Sequence, residues 1–244
     1  MNESRRILKR IFIAVIYLAV FASLGTGAYF LFKPAVPIVT APIIEPIEII
    51  WSQAFSVGPD LYSAAAKIKN PNTNFGAGNF SYTFYFYDAN GVLLTTSAGE
   101  SYIWPGESKY IVLGGINLSK NPAKTQLQLG EPAWREVKDF KGVALALSNI
   151  NYGKGQVGSV KSFEINFRAS NDTPYDLAKV NVSSVVFDEN NSPIAAASTL
   201  LENLQSKEYR QSNIAWFSSF SGIPNSVDLT ISTNLWETLE LIGQ

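Results

Sequence analysis

The sequence predicts an all-β protein, two similar antiparallel sandwich modules behind one membrane-spanning helix, and three observations predict it. Short runs rich in Val, Ile, Thr, Tyr and Phe are broken by Asn, Asp, Gly and Pro at intervals of roughly ten residues, the rhythm of antiparallel strands and tight turns. An uncharged run of 22 residues extends from Ile11 to Phe32. The rest of the chain matches itself at an offset of 100 to 102 residues, as an internal duplication would.

The N-terminal run comes first. At 1.5 Å per residue its helix would be roughly 33 Å long, close to the ~30 Å hydrocarbon core of a bilayer. Arg5, Arg6, Lys9 and Arg10 precede it and only Lys33 follows closely, so the positive-inside rule places residues 1–10 as a cytoplasmic basic tail. Residues 11–32 then contact membrane lipid, and everything beyond Lys33 is extracytoplasmic. Tyr29, Phe30 and Phe32 fall where an outer aromatic belt is expected. A cleavable signal peptide, with Thr26 and Ala28 before the cut, is the alternative; the apolar run continues past that site and exceeds an ordinary signal core. Ser23 and Gly27 form a small-xxx-small pair that could seat a second helix or simply be ordinary small residues.

Residues 33–46 carry Pro34, Pro37, Pro42 and Pro46, which forbid a continuing helix. Extended polyproline geometry over Pro34 to Pro46 would reach up to ~40 Å and reads as a stalk. Module 1 is assigned to residues 47–136 and module 2 to residues 137–244, each about the size of a seven-stranded sandwich. In NFSYTFYFYD, Phe80, Tyr82, Phe84 and Phe86 face a core while Ser81, Thr83, Tyr85 and Tyr87 face away. Phe163, Ile165 and Phe167 alternate likewise with Glu164, Asn166 and Arg168. Across the repeat Asn70 lies over Asn171 and Asp88 over Asp188, and WPGESKY meets LQSKEYR. Asn90-Gly91 supplies the positive φ that a tight hairpin needs.

These residues carry a resemblance. KIKNPN, then FYFYDANGVLL, then WPGESKYIV resembles the FxLYD family and, more loosely, the water-stress-type domains of late-embryogenesis-abundant proteins. The match covers residues 60 to 115; in the second copy DENNSP replaces DANG, and LQSKEY lacks the Pro-Gly. The resemblance implies two tandem immunoglobulin-like β-sandwiches, exposed in the envelope and without catalysis, and it transfers no functional residue.

Composition narrows the function further. The chain contains neither Cys nor His, which removes disulfides, thiolate nucleophiles, zinc-thiolate sites and the usual general base. Setting aside the five cations around the helix and Glu3, residues 34–244 hold 14 cations and 19 anions. That acidic balance argues against nucleic acid as a partner. A carboxylate pair is conceivable among Asp60, Glu100, Glu107, Glu164 and Glu202, but no spacing selects one, and the expectation is no enzyme, no catalytic residue and no cofactor. Asp88, Asn90, Asp188, Glu189 and Asn190 resemble the start of a calcium loop, yet Gly99 and Thr199 stand where a bidentate Glu belongs, so they read as turn residues and no metal site is assigned.

The glycines of NYGKGQVG have no following helix and read as linker or hairpin. Asn-x-Ser/Thr triplets begin at Asn79, Asn117, Asn171, Asn181 and Asn190, as chance would give in a chain this rich in Asn and Ser. Trp216 is expected in a core. Tyr85, Tyr87 and Trp104, the last standing at the Pro105-Gly106 turn, are the candidate partner contacts. The function expected is a membrane-anchored, extracytoplasmic binding or scaffold protein with a protein partner in the cell envelope. A small-ligand-binding or stress-protective ectodomain is the alternative.

Overall fold

The computed structural model describes residues 3–33, 42–157 and 160–237. Of the expected stalk, residues 34–41, with Pro34 and Pro37, lie outside the described residues. The chain divides into two compact units, Met1–Ile43 and Ile44–Gln244. The first holds α1, Glu3–Phe32, which is long and apolar enough to cross a membrane. The basic residues expected as a tail are the first turns of this helix; Lys and Arg are good helix formers, and nothing between Glu3 and Arg10 breaks the turn. Ser23 and Thr26 bond back to the carbonyls of Val20 and Ala22, so their hydroxyls are satisfied within the helix.

The second unit is antiparallel β structure, with thirteen strands in four sheets among the described residues. Sheet A has the order β1 (Glu48–Gly58), β2 (Leu61–Lys69), β5 (Ser108–Asn117). Sheet B has the order β4 (Leu93–Ile103), β3 (Phe75–Tyr87), β6 (Lys124–Leu129), with β7 (Trp134–Glu136) on the start of β3. Sheet C has the order β12 (Tyr209–Trp216), β9 (Val160–Asn171), β8 (Leu145–Val157). Sheet D has the order β11 (Pro193–Leu204), β10 (Leu177–Phe187), β13 (Ser226–Ser232). Of NYGKGQVG, residues 151–157 belong to β8, which pairs with β9, and Gly158 lies outside the described residues.

Sheets A and B form the first sandwich: Ala64, Ala66 and Ile68 meet Phe80, Phe84 and Phe86. Sheets C and D form the second, where Ile165, Phe167 and Ala169 meet Val180, Val182 and Val186. The expected alternation holds in β3, where Phe80, Tyr82, Phe84 and Phe86 are all buried. It holds in β9 for Ile165 and Phe167, with Phe163 partly buried.

The sandwiches are not separate beads, and residue 136 marks a change of strand set inside one compact unit. The second face of sheet A packs on the second face of sheet D: Phe55, Ala65 and Tyr110 cluster with Val185 and Ala196. Of the alanines in β2 and β11, Ala65 and Ala196 face this seam, and their small side chains leave room for Phe55 and Tyr110, while Ala64, Ala66 and Ala195 face the two cores. Ser63 Oγ donates to the carbonyl of Ala196 at 3.0 Å, and Gln53 Nε2 to that of Pro193 at 3.2 Å. The Tyr110 hydroxyl donates to Asp228 Oδ2 at 2.5 Å, with Lys67 Nζ 3.5 Å from the same oxygen. Burial, then the acceptor and charge of Asp228, push the Tyr110 hydroxyl above the usual phenol range.

The same local hydrogen bonds recur in both sandwiches. Asn70 and Asn171 are both fully buried at strand ends. Asn70 Nδ2 donates to the carbonyls of Phe75 and Trp104, and Asn171 Nδ2 to those of Tyr175, Leu204 and Gln205. The Asn171 triplet is therefore a structural corner. Glu107 Oε2 accepts from the Trp104 N–H at 2.8 Å, as Glu208 Oε2 does from Gln205 at 2.8 Å, one residue on from the letter-for-letter pairing of the two segments. Lys109 Nζ donates to the carbonyl of Tyr102 and Arg210 to that of Asn203, each at 3.0 Å. Burial lowers the proton affinity of Lys109, partly opposed by the charge of Glu107. Asp88 Oδ1 accepts from the N–H groups of Asn90 and Val92, and Asp188 Oδ1 from those of Asn190 and Ser192. These carboxylates hold turns through positive-φ Gly91 and Asn191.

Candidate functional site

The face of sheet B away from its core is built around β3, between β4 and β6. Tyr85 pairs with Thr96 on one side and Gln126 on the other, and Thr83 with Ala98 and Gln128. Tyr87 follows two residues on, opposite Leu93 and Lys124. Period-2 alternation therefore sets two phenol rings on one face within a patch of Thr, Ala and Gln. Both rings are half-buried, and among the described residues neither hydroxyl makes a hydrogen bond. A depression of about 470 Å³ bounded by Tyr87, Asp88, Lys124 and Gln126 lies at the turn end.

The corresponding strand of the second sandwich has another fate. Val185 and Phe187 occupy the positions of Tyr85 and Tyr87 one hundred residues on, and Val185 pairs with Asp228 as Tyr85 pairs with Gln126. Val185 is fully buried, with Phe187 packed beside it, under sheet A. One face is thus used inside the chain, while its counterpart stays open.

Trp104, expected as an exposed contact, is 4% exposed and corrects that expectation. Its backbone stands at the expected turn, but the ring is folded inward between two aromatic rings. Phe140, from the segment joining the sandwiches, stacks at 5.1 Å, and Trp236, from the 3-10 turn Leu235–Glu237, stacks at 4.8 Å. Its Nε1 donates to the carbonyl of Thr233 at 3.2 Å, and the neighbouring Tyr102 hydroxyl donates to Ser232 Oγ at 3.0 Å. Burial pushes the Tyr102 hydroxyl up; the Ser232 bond opposes this, and the charges of Glu107 and Glu237 add to it. Trp216 lies in the second core, as expected.

Sequence reading missed Tyr110, Asp228, Phe140 and Trp236 as the parts that join the sandwiches. A signal existed for the first: YSAAAKI and KYIVL are continuous apolar or small runs without alternation, the mark of a sheet covered on both faces. Phe140 and Trp236 sit outside regular strands, where no periodicity points to them.

No family model and no curated protein matches the chain. Among solved structures it is similar to the exo-chitosanase of Amycolatopsis orientalis, at 10% identity over 71% of this chain and 25% of that one, TM-score 0.21. A second is the calcium-binding domain CBD12 of CALX1.1, at 13% identity over 70% of this chain and 72% of that one, TM-score 0.20. A third is red sea bream transglutaminase, at 8% identity over 78% and 29%, TM-score 0.24. The chain spans under a third of the length of the chitosanase and of the transglutaminase.

Proposed function

We propose that the chain is a membrane-anchored, extracytoplasmic scaffold or binding protein of the cell envelope, without catalytic activity, whose partner docks on the face of sheet B bearing Tyr85 and Tyr87. One observation carries this reading: the counterpart face, with Val185 and Phe187, is an interface within the chain, whereas Tyr85 and Tyr87 are uncovered and carry uncommitted hydroxyls. Tyrosine suits such a role because it presents a rigid ring and a polar tip together. Thr96, Ala98, Gln126 and Gln128 around Tyr85 are uncharged, and Asp88 and Lys124 at the Tyr87 end offset each other, so the fitting partner is a protein surface of low net charge.

The cations ahead of α1 support a cytoplasmic N-terminus. The recurring Asn, Asp and Glu networks support descent of both sandwiches from one duplicated unit of the FxLYD type. The absence of His and Cys supports a non-catalytic role.

Because the chain has no native Cys, single cysteines test topology directly. In intact cells a membrane-impermeant maleimide labels Asn90→Cys and leaves Ser4→Cys untouched; the opposite pattern overturns the orientation. Benzoylphenylalanine at position 85 gives a discrete protein adduct on irradiation, and the same probe at position 213 on sheet C does not. Equal adducts, or none, remove the docking face. The small-ligand alternative is favoured by a separate feature, a groove between the sandwiches.

A further inference from the structure

That groove is the strongest unassigned feature of the molecule. One cleft of about 390 Å³ is lined by Asn79, Glu100, Arg135 and Trp236. A second, of about 360 Å³, is lined by Lys179, Asn181 and Leu200, and Tyr102, Asn234 and Glu237 belong to both. Together they run across the boundary between the sandwiches. Most of the polar side chains are planar forks: the amides of Asn79 and Asn234, the carboxylates of Glu100 and Glu237, and the guanidinium of Arg135. A fork of this kind meets two adjacent hydroxyl groups with a pair of hydrogen bonds. Tyr102, Trp236 and Leu200 supply apolar wall for C–H surface. The formal charges of Glu100, Glu237, Arg135 and Lys179 cancel, so the groove has no net field to favour a polyanion or a polycation.

Asn234 is engaged within the wall, donating to Glu237 Oε1 at 3.1 Å and accepting from the Trp236 backbone N–H at 3.2 Å, and the Tyr102 hydroxyl is bonded to Ser232, but the Arg135–Glu100 side of the groove keeps hydrogen-bonding capacity to spare. The Arg135 guanidinium lies 5.2 Å from the Trp236 ring and, among the described residues, makes no ion pair, although two carboxylates line the same cleft. Elsewhere in the chain an Arg and a Glu that neutralise each other do so at 2.8 Å, as Arg210 and Glu208 show. Among the described residues Glu100 receives only a 3.5 Å contact from Asn79. The wall is also preformed. Trp236 is held by the stack on Trp104, and it leans on Gly78 so closely that a Cβ there would stand 2.9 Å from the indole. No ordering of this side chain remains for a ligand to bring about.

We propose that this groove binds a neutral, hydroxyl-rich chain, an oligosaccharide, laid across the boundary between the two sandwiches. The inference rests on the reading of the β body as an extracytoplasmic binding module. Since both faces of Trp236 are occupied by the protein, the ring serves as a wall rather than a stacking platform, and the affinity is micromolar to millimolar.

The test uses the full chain in phosphatidylcholine nanodiscs, titrated calorimetrically with cellohexaose, maltohexaose and chitohexaose, and with a heparin hexasaccharide as the anionic control. At least one neutral hexasaccharide binds and heparin does not; Arg135→Ala and Asn79→Ala each weaken binding about tenfold. Tyr85→Ala leaves it unchanged, and the exposed Arg135→Ala variant keeps its unfolding midpoint. Absence of binding by all three neutral sugars at millimolar concentration, preference for heparin, or equal binding by Arg135→Ala overturns the proposal. The cross-link from position 85 is independent: an intact adduct with no sugar binding removes the groove alone, and loss of both removes the binding-module reading as well.

Discussion

Strands β2 and β9 occupy equivalent places in the two sandwiches, yet they face different surroundings, and the difference shows how the molecule is assembled. In β2, LYSAAAKIK, five consecutive residues from Tyr62 to Ala66 are buried, because one face meets sheet B and the other meets sheet D. In β9, Ile165 and Phe167 are buried while Asn166 is exposed and Arg168 lies over the ring of Tyr209 at 3.6 Å. The same inversion separates β10, buried without interruption from Val182 to Val186, from β3 with its alternating pattern. Sheets A and D are inner layers, B and C outer ones. Sheet C carries polar Asn166 and Gln211 where sheet A has Ala65 and Tyr110, so its outward face is the more polar of the two at these positions.

The sharpest way to break this comparison is to place a charge in the inner layer. Ala65→Glu buries a carboxylate in the seam and costs roughly 3–5 kcal/mol, whereas Asn166→Glu on the outer face stays within about 0.5 kcal/mol. Urea unfolding of the full chain in nanodiscs, followed by tryptophan fluorescence, measures both. Trp104→Ala empties the stack between Phe140 and Trp236 and lowers stability by about 3 kcal/mol; its counterpart Gln205→Ala, on an exposed side chain, changes it by less than about 0.5. Asn70→Ala and Asn171→Ala strand buried carbonyls at matching corners, so each costs about 2–3 kcal/mol and the two agree. A marked inequality between them would end the equivalence of the corners.

The smallest effect is in acid. The Gln205 N–H and then Arg210 hold the Glu208 carboxyl below its ordinary value of 4.5. Its stabilisation is complete above that ordinary value and is lost as pH falls through the lower, folded-state one. Glu208→Gln therefore flattens the acid limb of the stability profile and leaves its alkaline limb unchanged.

Much of this architecture was legible in the sequence. Period 2 identified the core residues of β3, Asn90-Gly91 identified a hairpin, and an uncharged run identified α1. Alternation also set Tyr85 and Tyr87 on the outer face of sheet B. Trp104 was misplaced because a Pro-Gly turn fixes where a backbone lies but not where a large ring folds, and Phe140 and Trp236 arrive from 36 and 132 residues away along the numbering. The seam was hidden for a related reason: Tyr110 meets Asp228 only once both sandwiches exist. The groove residues, drawn from β3, β4, β7, β10, β11 and the segment from Asn234 through the 3-10 turn, share no spacing at all.

Hydrogen exchange with mass spectrometry on the full chain in nanodiscs tests most directly whether the two sandwiches are one cooperative body. The seam makes β2 and β10 open together, so their amides share one free energy of exchange, and Ala196→Glu lowers both by the same amount. Protection of β2 that survives intact while β10 exchanges freely in that variant would contradict the account.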